Sequence, residues 1–277
     1  MTARAMNGPV ISRTEPEPEL SVVVPVYNES GNLMSLIDEI LLTLRGRMSF
    51  EIIYVDDASN DDTGEILGHL ARRIPELYVV THLRQSGQSA ALWTGVDAAR
   101  ARRVATLDGD GQNNPADIPA LLDHFEAAGE NVKLVSGWRT QRQDNVIRRL
   151  SSRIANRVRQ ALLRDATPDT GCGIKVFDRH AFMRLPRFRN MHRYLPALMK
   201  RDGWKILSVP VSHRPRRAGR SKYGVWNRLW VGIHDLVGVA WLLRRPVAVS
   251  SFSLPKSPKL APPNPMLTSS HLHKNDP

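Results

Sequence analysis

A single cysteine, Cys172, in 277 residues excludes an internal disulfide and any multi-cysteine zinc site. Long apolar runs are missing too. No stretch reaches the about 18–20 uninterrupted apolar residues of a membrane span, and "MTARAMNGPVISRTEPEPE" at the start contains no apolar core of a signal peptide. The cytoplasm is therefore the expected location. Acid is in short supply: 27 Asp and Glu stand against 39 Lys and Arg, a net charge of +12. Such a balance points to an anionic partner, whether nucleic acid, a phosphorylated small molecule or a lipid surface. What is present, 42% hydrophobic and 24% charged residues, suffices for the core of one large α/β domain or two small ones. There are no internal repeats.

Residues 1–18 are polar and proline-dotted and read as a flexible arm. Strand-like and helix-like segments then alternate. The runs "LSVVVPV" (20–26), "FEIIYVDD" (50–57), "LYVVTHL" (77–83), "RVATLD" (103–108) and "VKLVSGW" (132–138) are expected strands. Between them, apolar residues recur at helical spacing: Leu33, Leu36, Ile37, Ile40, Leu41 and Leu44 behind Ser30 as N-cap, then Ile66, Leu67, Leu70 and Ile74. Further helices are expected over 87–101 and 116–128. This βαβ order with short connections implies an α/β fold, a Rossmann-like, mostly parallel sheet flanked by helices. A long helical pattern over 142–164 carries seven arginines, "WKILSVPVSHRP" (204–215) is strand-like, and "RPRRAGRSKYG" (214–224) is a basic loop. Residues 246–277, rich in proline and serine, read as a disordered tail.

On parallel sheets ligands sit at the carboxyl ends of the strands. Tyr27-Asn28-Glu29, Asp56-Asp57-Ala58-Ser59 and Asp108 to Gln112 all fall there, so three acidic clusters converge on one rim. Asp108 and Asp110 repel each other, and "DGDG" also suits a solvated turn. Taken with the other clusters, the spacing favours a shared divalent cation: Gly109 and Gly111 break the pleat so that both acids can face it. Mg²⁺ or Mn²⁺ takes one or two carboxylates and fills its shell from substrate phosphates. Asp56 and Asp57 fit either a helix N-cap or a contact to a base or ribose; with Asp61 and Asp62 available for capping, binding is favoured.

The segments "VVVPVYNESGNL", "EIIYVDDASNDDT", "SGQSAALWTGVDAA", "ATLDGDGQNNP" and "AGRSKYG" resemble the family 2 glycosyltransferases of GT-A fold, especially the polyprenol-phosphate sugar transferases, over residues 20–243. The resemblance implies a GT-A catalytic domain over 19–222. It also implies that Pro25, Tyr27 and Glu29 line the nucleotide pocket and that Asp57, with Asp56, reads the base. Gly87 falls among the substrate-binding positions, and Asp108, Asp110 and Gln112 hold the metal that bridges the diphosphate. Asp169, in "PDTGCGIKVF", sits where relatives place an acid near the transfer site, with a role in orienting or polarising; "TGCG" departs from their serine-glycine-phenylalanine pattern. Arg217, Arg220, Ser221 and Lys222 match the basic loop that closes over donor and acceptor phosphates.

The implied reaction is an inverting transfer of one mannose- or glucose-like sugar, from a donor of GDP-mannose or UDP-glucose type, to a polyprenyl phosphate. Transfer to a growing saccharide is the alternative. A nucleic-acid binder, suggested by charge alone, ranks below both because the ligand rim is acidic. Arg139, Arg142 and Arg148 are placed to reach phosphates, although a solvated basic face fits the arginine-rich helix as well. His192-Arg193 fits an acceptor contact or plain helix surface. The segment 223–245, with Trp226, Trp230 and Trp241, suits an amphipathic helix lying peripherally on the cytoplasmic face of a membrane, or a helix packed on the core.

Overall fold

In the computed structural model, residues 16–139, 159–163, 165, 167–212, 214 and 225–245 are described. They lie in one compact unit, Met1–Pro246; the second, Val247–Pro277, falls outside the described residues, as do the arm before residue 16 and the arginine-rich stretch 140–158. The strands are β1 (Leu20–Val26), β2 (Phe50–Asp56), β3 (Leu77–Thr81), β4 (Arg103–Thr106), β5 (Val132–Arg139), β6 (Lys175–Asp178) and β7 (Lys205–Val211). The helices are α1 (Leu33–Leu44), α2 (Thr63–Ala71), α3 (Gln88–Ala98), α4 (Ile118–Ala127), α5 (Arg179–Met183), α6 (Leu195–Arg201) and α7 (Val225–Leu243), with short 3₁₀ turns at Pro115–Asp117 and Met191–Arg193.

The strands form one sheet in the order β3-β2-β1-β4-β6-β5-β7. All neighbours run parallel except β6, which is antiparallel to β4 and β5. β1 and β2 are buried on both faces, which is why they read as near-continuous runs of Val and Ile. Their alternation still sorts the core into two layers. Val22, Val24, Ile52 and Tyr54 face α1, α2 and α4, whereas Val23, Ile53 and Val55 face α3, α5, α6 and Val239 of α7.

Three local expectations differ. Helix α1 starts at Leu33 with Asn32 as N-cap, not at Ser30; the Ser30 N–H donates instead to Asp61 Oδ2 at 3.4 Å, and that cross-link keeps the preceding turn out of the helix. Ile74 lies beyond α2 yet still packs against the core. Strand β6, hidden in "GIKVF", is only four residues long and gives no alternation to read. Its antiparallel insertion between β4 and β5 makes the sheet mixed at its centre.

Helix α3 lies so close to the sheet that Gly95 has no room for a side chain: a Cβ there would meet Val23 Cγ1 at 2.4 Å and Val55 Cγ2 at 3.1 Å. Gly95→Ala is expected to cost about 1–3 kcal/mol by overpacking. The measurement is a shift of the urea midpoint with unchanged slope.

Candidate active site

Adjacent parallel strands β2, β1 and β4 deliver their carboxyl ends side by side. The β1 and β2 loops are laced together there. Asn28, in the left-handed region at φ +54°, donates its backbone N–H to Ser59 Oγ (2.9 Å) and exchanges side-chain and backbone bonds with Asn60. The Glu29 N–H donates to Thr63 Oγ1 (3.0 Å), and Glu29 Oε2 accepts from Asn32 Nδ2 (2.7 Å). Pro25 and Tyr27 flank this rim on β1 and just after it, and Pro25 also lines the cavity described below.

Asp61 accepts from the Thr63 N–H and takes the capping part (3.0 Å), but Asp56 and Asp57 are not thereby released. Asp56 Oδ1 accepts from the Ser59 N–H (3.0 Å). Asp57, 3% exposed, accepts from the backbone N–H groups of Ser86 (2.8 Å) and Gly87 (2.7 Å) and pairs with His82 Nδ1 (2.7 Å), whose Nε2 reaches Thr94 Oγ1 (2.9 Å). In this structure Asp57 is the clamp of the β3–α3 loop. Gly87, at φ +91°, makes the bend that opens α3, and an L side chain would be strained there.

At the end of β4, Asp108 Oδ1 accepts from Gln88 Nε2 of α3 (2.8 Å), and Asp110 Oδ1 accepts from the Gln112 N–H (3.1 Å). The two glycines act differently. Gly111 turns the chain at φ +71°, whereas Gly109 is needed for close approach, since its Cβ would meet Val26 Cγ1 at 2.5 Å. Desolvation, then the charge of Asp110, push the Asp108 carboxyl up, against the opposing pull of Lys175 and Arg139. Lys175 stands buried on β6, its ammonium donating to the Cys172 carbonyl. Burial pushes its pKa down against the pull of Cys172, Asp108 and Asp169. Asp169 forms a bidentate pair with Arg139 (Nε to Oδ2 2.6 Å, Nη2 to Oδ1 3.0 Å) and accepts from the Gly171 N–H (3.2 Å). Burial works to lower the Arg139 pKa, but the bonds and charge of Asp169 together outweigh it and raise it.

Asp108, Asp169, Lys175 and His192 line one cavity of about 380 Å³, with Pro25, Leu92, Leu107 and Leu195 as its apolar walls. Among the described residues no three His, Cys, Asp or Glu side chains gather into a closed metal cage. Two neighbouring carboxylates are nevertheless the donor set that Mg²⁺ or Mn²⁺ uses when phosphates complete its shell. Gly173 lets the Asp108 carboxylate pack close against the backbone: a Cβ there would stand 2.2 Å from Asp108 Oδ2. The residues present therefore fit a divalent ion.

The cavity residues Gln88 and Lys175, and Ser89 behind His192, are not singled out by the sequence, because each joins the site only through pairing distant in the chain. His192, read as acceptor contact or helix surface, lines the cavity. Arg214 is a further addition: its N–H donates to the Gln112 carbonyl (3.1 Å) and its guanidinium to Glu39 (2.7 Å) and Asn114 (2.5 Å). The root of the basic loop is thus pinned beside the Asp108–Gln112 turn; Arg217, Arg220, Ser221 and Lys222 themselves lie outside the described residues.

A mixed sheet with acidic loops at the carboxyl ends of its parallel strands, over a cavity of this size, defines an enzyme of the GT-A class. Solved structures of similar fold include glucosyl-3-phosphoglycerate synthase from Mycobacterium tuberculosis, in complex with Mn²⁺, uridine diphosphate and glucosyl-3-phosphoglycerate. It is 22% identical, with 82% of this chain and 80% of that one covered and a TM-score of 0.61. Another is a mannosyltransferase from Pyrobaculum calidifontis in complex with GDP-Man and Mn²⁺, at 24% identity, 84% and 66% coverage and a TM-score of 0.62. The chain belongs to glycosyl transferase family 2, whose family model matches residues 21–185; it is a glycosyltransferase.

Among curated relatives, the dodecaprenyl-phosphate galacturonate synthase of Rhizobium johnstonii is 33% identical over 246 residues, 87% of this chain and 70% of that protein. The undecaprenyl-phosphate 4-deoxy-4-formamido-L-arabinose transferase of Pectobacterium atrosepticum is 35% identical over 208 residues, 74% of this chain and 62% of that protein. The chain thus spans between 62% and 70% of these relatives' lengths.

The Asp57 clamp gives a direct expectation. Asp57→Ala leaves the Ser86 and Gly87 N–H groups without their acceptor, at a cost of about 1–3 kcal/mol for such buried donors. Hydrogen exchange over residues 82–90 should accelerate, while amides of β1 and β2 keep their protection.

Proposed function

We propose that this protein moves a single sugar from a nucleotide sugar to a polyprenyl phosphate, inverting the anomeric centre. The observation that carries the reading is the Asp108/Asp110 pair at the end of β4, with Asp108 lining a cavity whose apolar walls are Pro25, Leu92, Leu107 and Leu195. Its support from outside the chain is the pair of polyprenyl-phosphate sugar transferases at 33% and 35% identity. Asp108 and Asp110, with Gln112, would hold Mg²⁺ or Mn²⁺, which when bound supplies positive charge to the diphosphate as it leaves.

The chain's own residues supply the rest. Gln88 holds Asp108 from α3, and Lys175, lining the same cavity, pulls the Asp108 pKa down against burial and the charge of Asp110. Arg139 holds the Asp169 carboxylate through two bonds. A carboxylate so engaged suits orienting and polarising an incoming group better than removing a proton. A lipid phosphate is already ionised near neutral pH, so no strong base is required of it. Tyr27, Glu29 and Asp56 lie along the rim where a nucleoside would rest, and Asp57 would act on it through the loop that it clamps. The basic residues Arg217, Arg220 and Lys222, with Ser221 among them, would close over the phosphates from the root fixed by Arg214.

An acceptor with a polyprenyl tail requires access to a membrane surface. No helix among the described residues is long and apolar enough to cross one. On α7, Val239 is buried, with Leu236, Ala240 and Leu243 packed against the core. Ile233, Val237 and Trp241, spaced i, i+4, i+8, remain 43%, 61% and 57% exposed. This apolar stripe, on a chain of net charge +12, suits peripheral contact with the anionic cytoplasmic face of a bilayer. The two readings of segment 223–245 then apply to opposite sides of one helix.

The test is incubation with Mn²⁺, undecaprenyl phosphate and, separately, GDP-mannose, UDP-glucose and UDP-galacturonic acid. A glycolipid product is expected with one donor. No product with any of them, from folded protein that binds nucleotide, sinks the reading, and product on a saccharide acceptor alone replaces it with the alternative. Asp110→Asn should lower the rate on the order of 100-fold or more, as removal of a preorganised charge-stabilising group does, with an unchanged melting curve. Trp241→Glu should reduce cosedimentation with vesicles containing phosphatidylglycerol and leave nucleotide binding intact.

A further inference from the structure

The 3₁₀ turn Met191–Arg193 contributes His192 and Arg193 to the cavity that Asp108 lines. Its entry is fixed by Asn190, a left-handed residue at φ +67°, whose Nδ2 donates to Asp235 Oδ2 of α7 at 2.8 Å. Ser89, buried in the first turn of α3, lies with Oγ 2.7 Å from His192 Nδ1 and accepts the His192 backbone N–H at 3.4 Å. The serine hydroxyl has one hydrogen; donated to Nδ1, it leaves the proton of a neutral ring on Nε2. Burial, then the charges of Arg193 and Lys175, push the imidazole down to about 3, so the ring is neutral at physiological pH. One turn of α3 thus bonds two cavity residues: Gln88 holds Asp108, and the next residue, Ser89, holds His192.

The chemistry of the walls selects the ligand group. His192 offers a neutral N–H, and the cavity also holds the carboxylates of Asp108 and Asp169. A hydroxyl can accept from the first and donate to the second, which neither a phosphate oxygen nor an alkyl chain can do. The volume, about 380 Å³, is of the scale that takes a small polar ligand.

We propose that His192 is a sugar-binding residue, its Nε2–H donating to a hydroxyl of the transferred sugar, with Ser89 as the positioning residue that fixes tautomer and ring. The inference rests on the glycosyl-transfer reading above and assigns one contact within it.

Calorimetry with Mn²⁺ separates the sugar from the rest of the donor without any acceptor. UDP-glucose, UDP-galacturonic acid and GDP-mannose are each compared with UDP or GDP. For the donor that binds, His192→Leu should weaken the nucleotide sugar about 3- to 10-fold, the worth of one neutral hydrogen bond, and leave the parent diphosphate unchanged. His192→Gln, which keeps an N–H donor, should recover most of the loss, and Ser89→Ala should show a smaller loss of the same kind. These two variants carry the test if His192→Leu does not fold. Unchanged sugar-nucleotide affinity in the variants, or an equal loss for the diphosphate, overturns the assignment while the transfer reading stands. Failure of wild-type protein to bind any of the three nucleotide sugars removes both.

Discussion

Two carboxylates that close β4, Asp108 and Asp110, stand next to each other in a partly desolvated place, and the surrounding polar contacts are arranged about that unfavourable charge. Gln88 bonds one of them, the Gln112 N–H bonds the other, and Lys175 supplies positive charge from the buried strand behind. The glycines follow from the same constraint. Gly109 lets the turn press on Val26, and Gly173 lets the Asp108 carboxylate sit against its backbone. A fold seeking stability alone gains nothing from this cluster; a fold that must bind a cation with a diphosphate does.

The scaffold makes such a site affordable by tying down its far end. At the amino ends of β1 and β2, Ser21 donates to the buried Glu51 carboxylate (2.6 Å), which also accepts from the Arg100 backbone and guanidinium (2.7 and 2.9 Å). This locks the α3–β4 connection against the sheet, so α3 reaches the site as a rigid strut. Its first turn then bonds Asp108 through Gln88 and His192 through Ser89, while the loop before it is held by Asp57. The root of the basic loop, Arg214, is bonded to the turn carrying Gln112.

Much of this was legible in the sequence where the signal is local. The valine-rich β1 and β2, the βαβ rhythm and the placement of the acids at strand ends all follow from residues within a few positions of one another. What stayed hidden depends on pairing across the chain. Asp57 looks free until the Ser86 and Gly87 N–H groups, 29 and 30 residues later, are seen to occupy it. Lys175 looks like a stray charge in "GIKVF" until β6 is inserted beside β4, opposite Thr106. His192 meets Ser89 across 103 residues. Lys175 did leave one readable trace, a lysine inside a short apolar run, where only a buried partner or a ligand makes the position tolerable.

Electron paramagnetic resonance of Mn²⁺ tests the central claim most directly, because the free aquo ion loses its signal on binding. With protein alone, uptake should be weak, since two carboxylates fill only part of the coordination shell; adding UDP or GDP should tighten it about tenfold or more as phosphate oxygens complete the shell. Loss of the free-ion signal no greater than in a protein-free control at the same nucleotide concentration would contradict the assignment of Asp108 and Asp110.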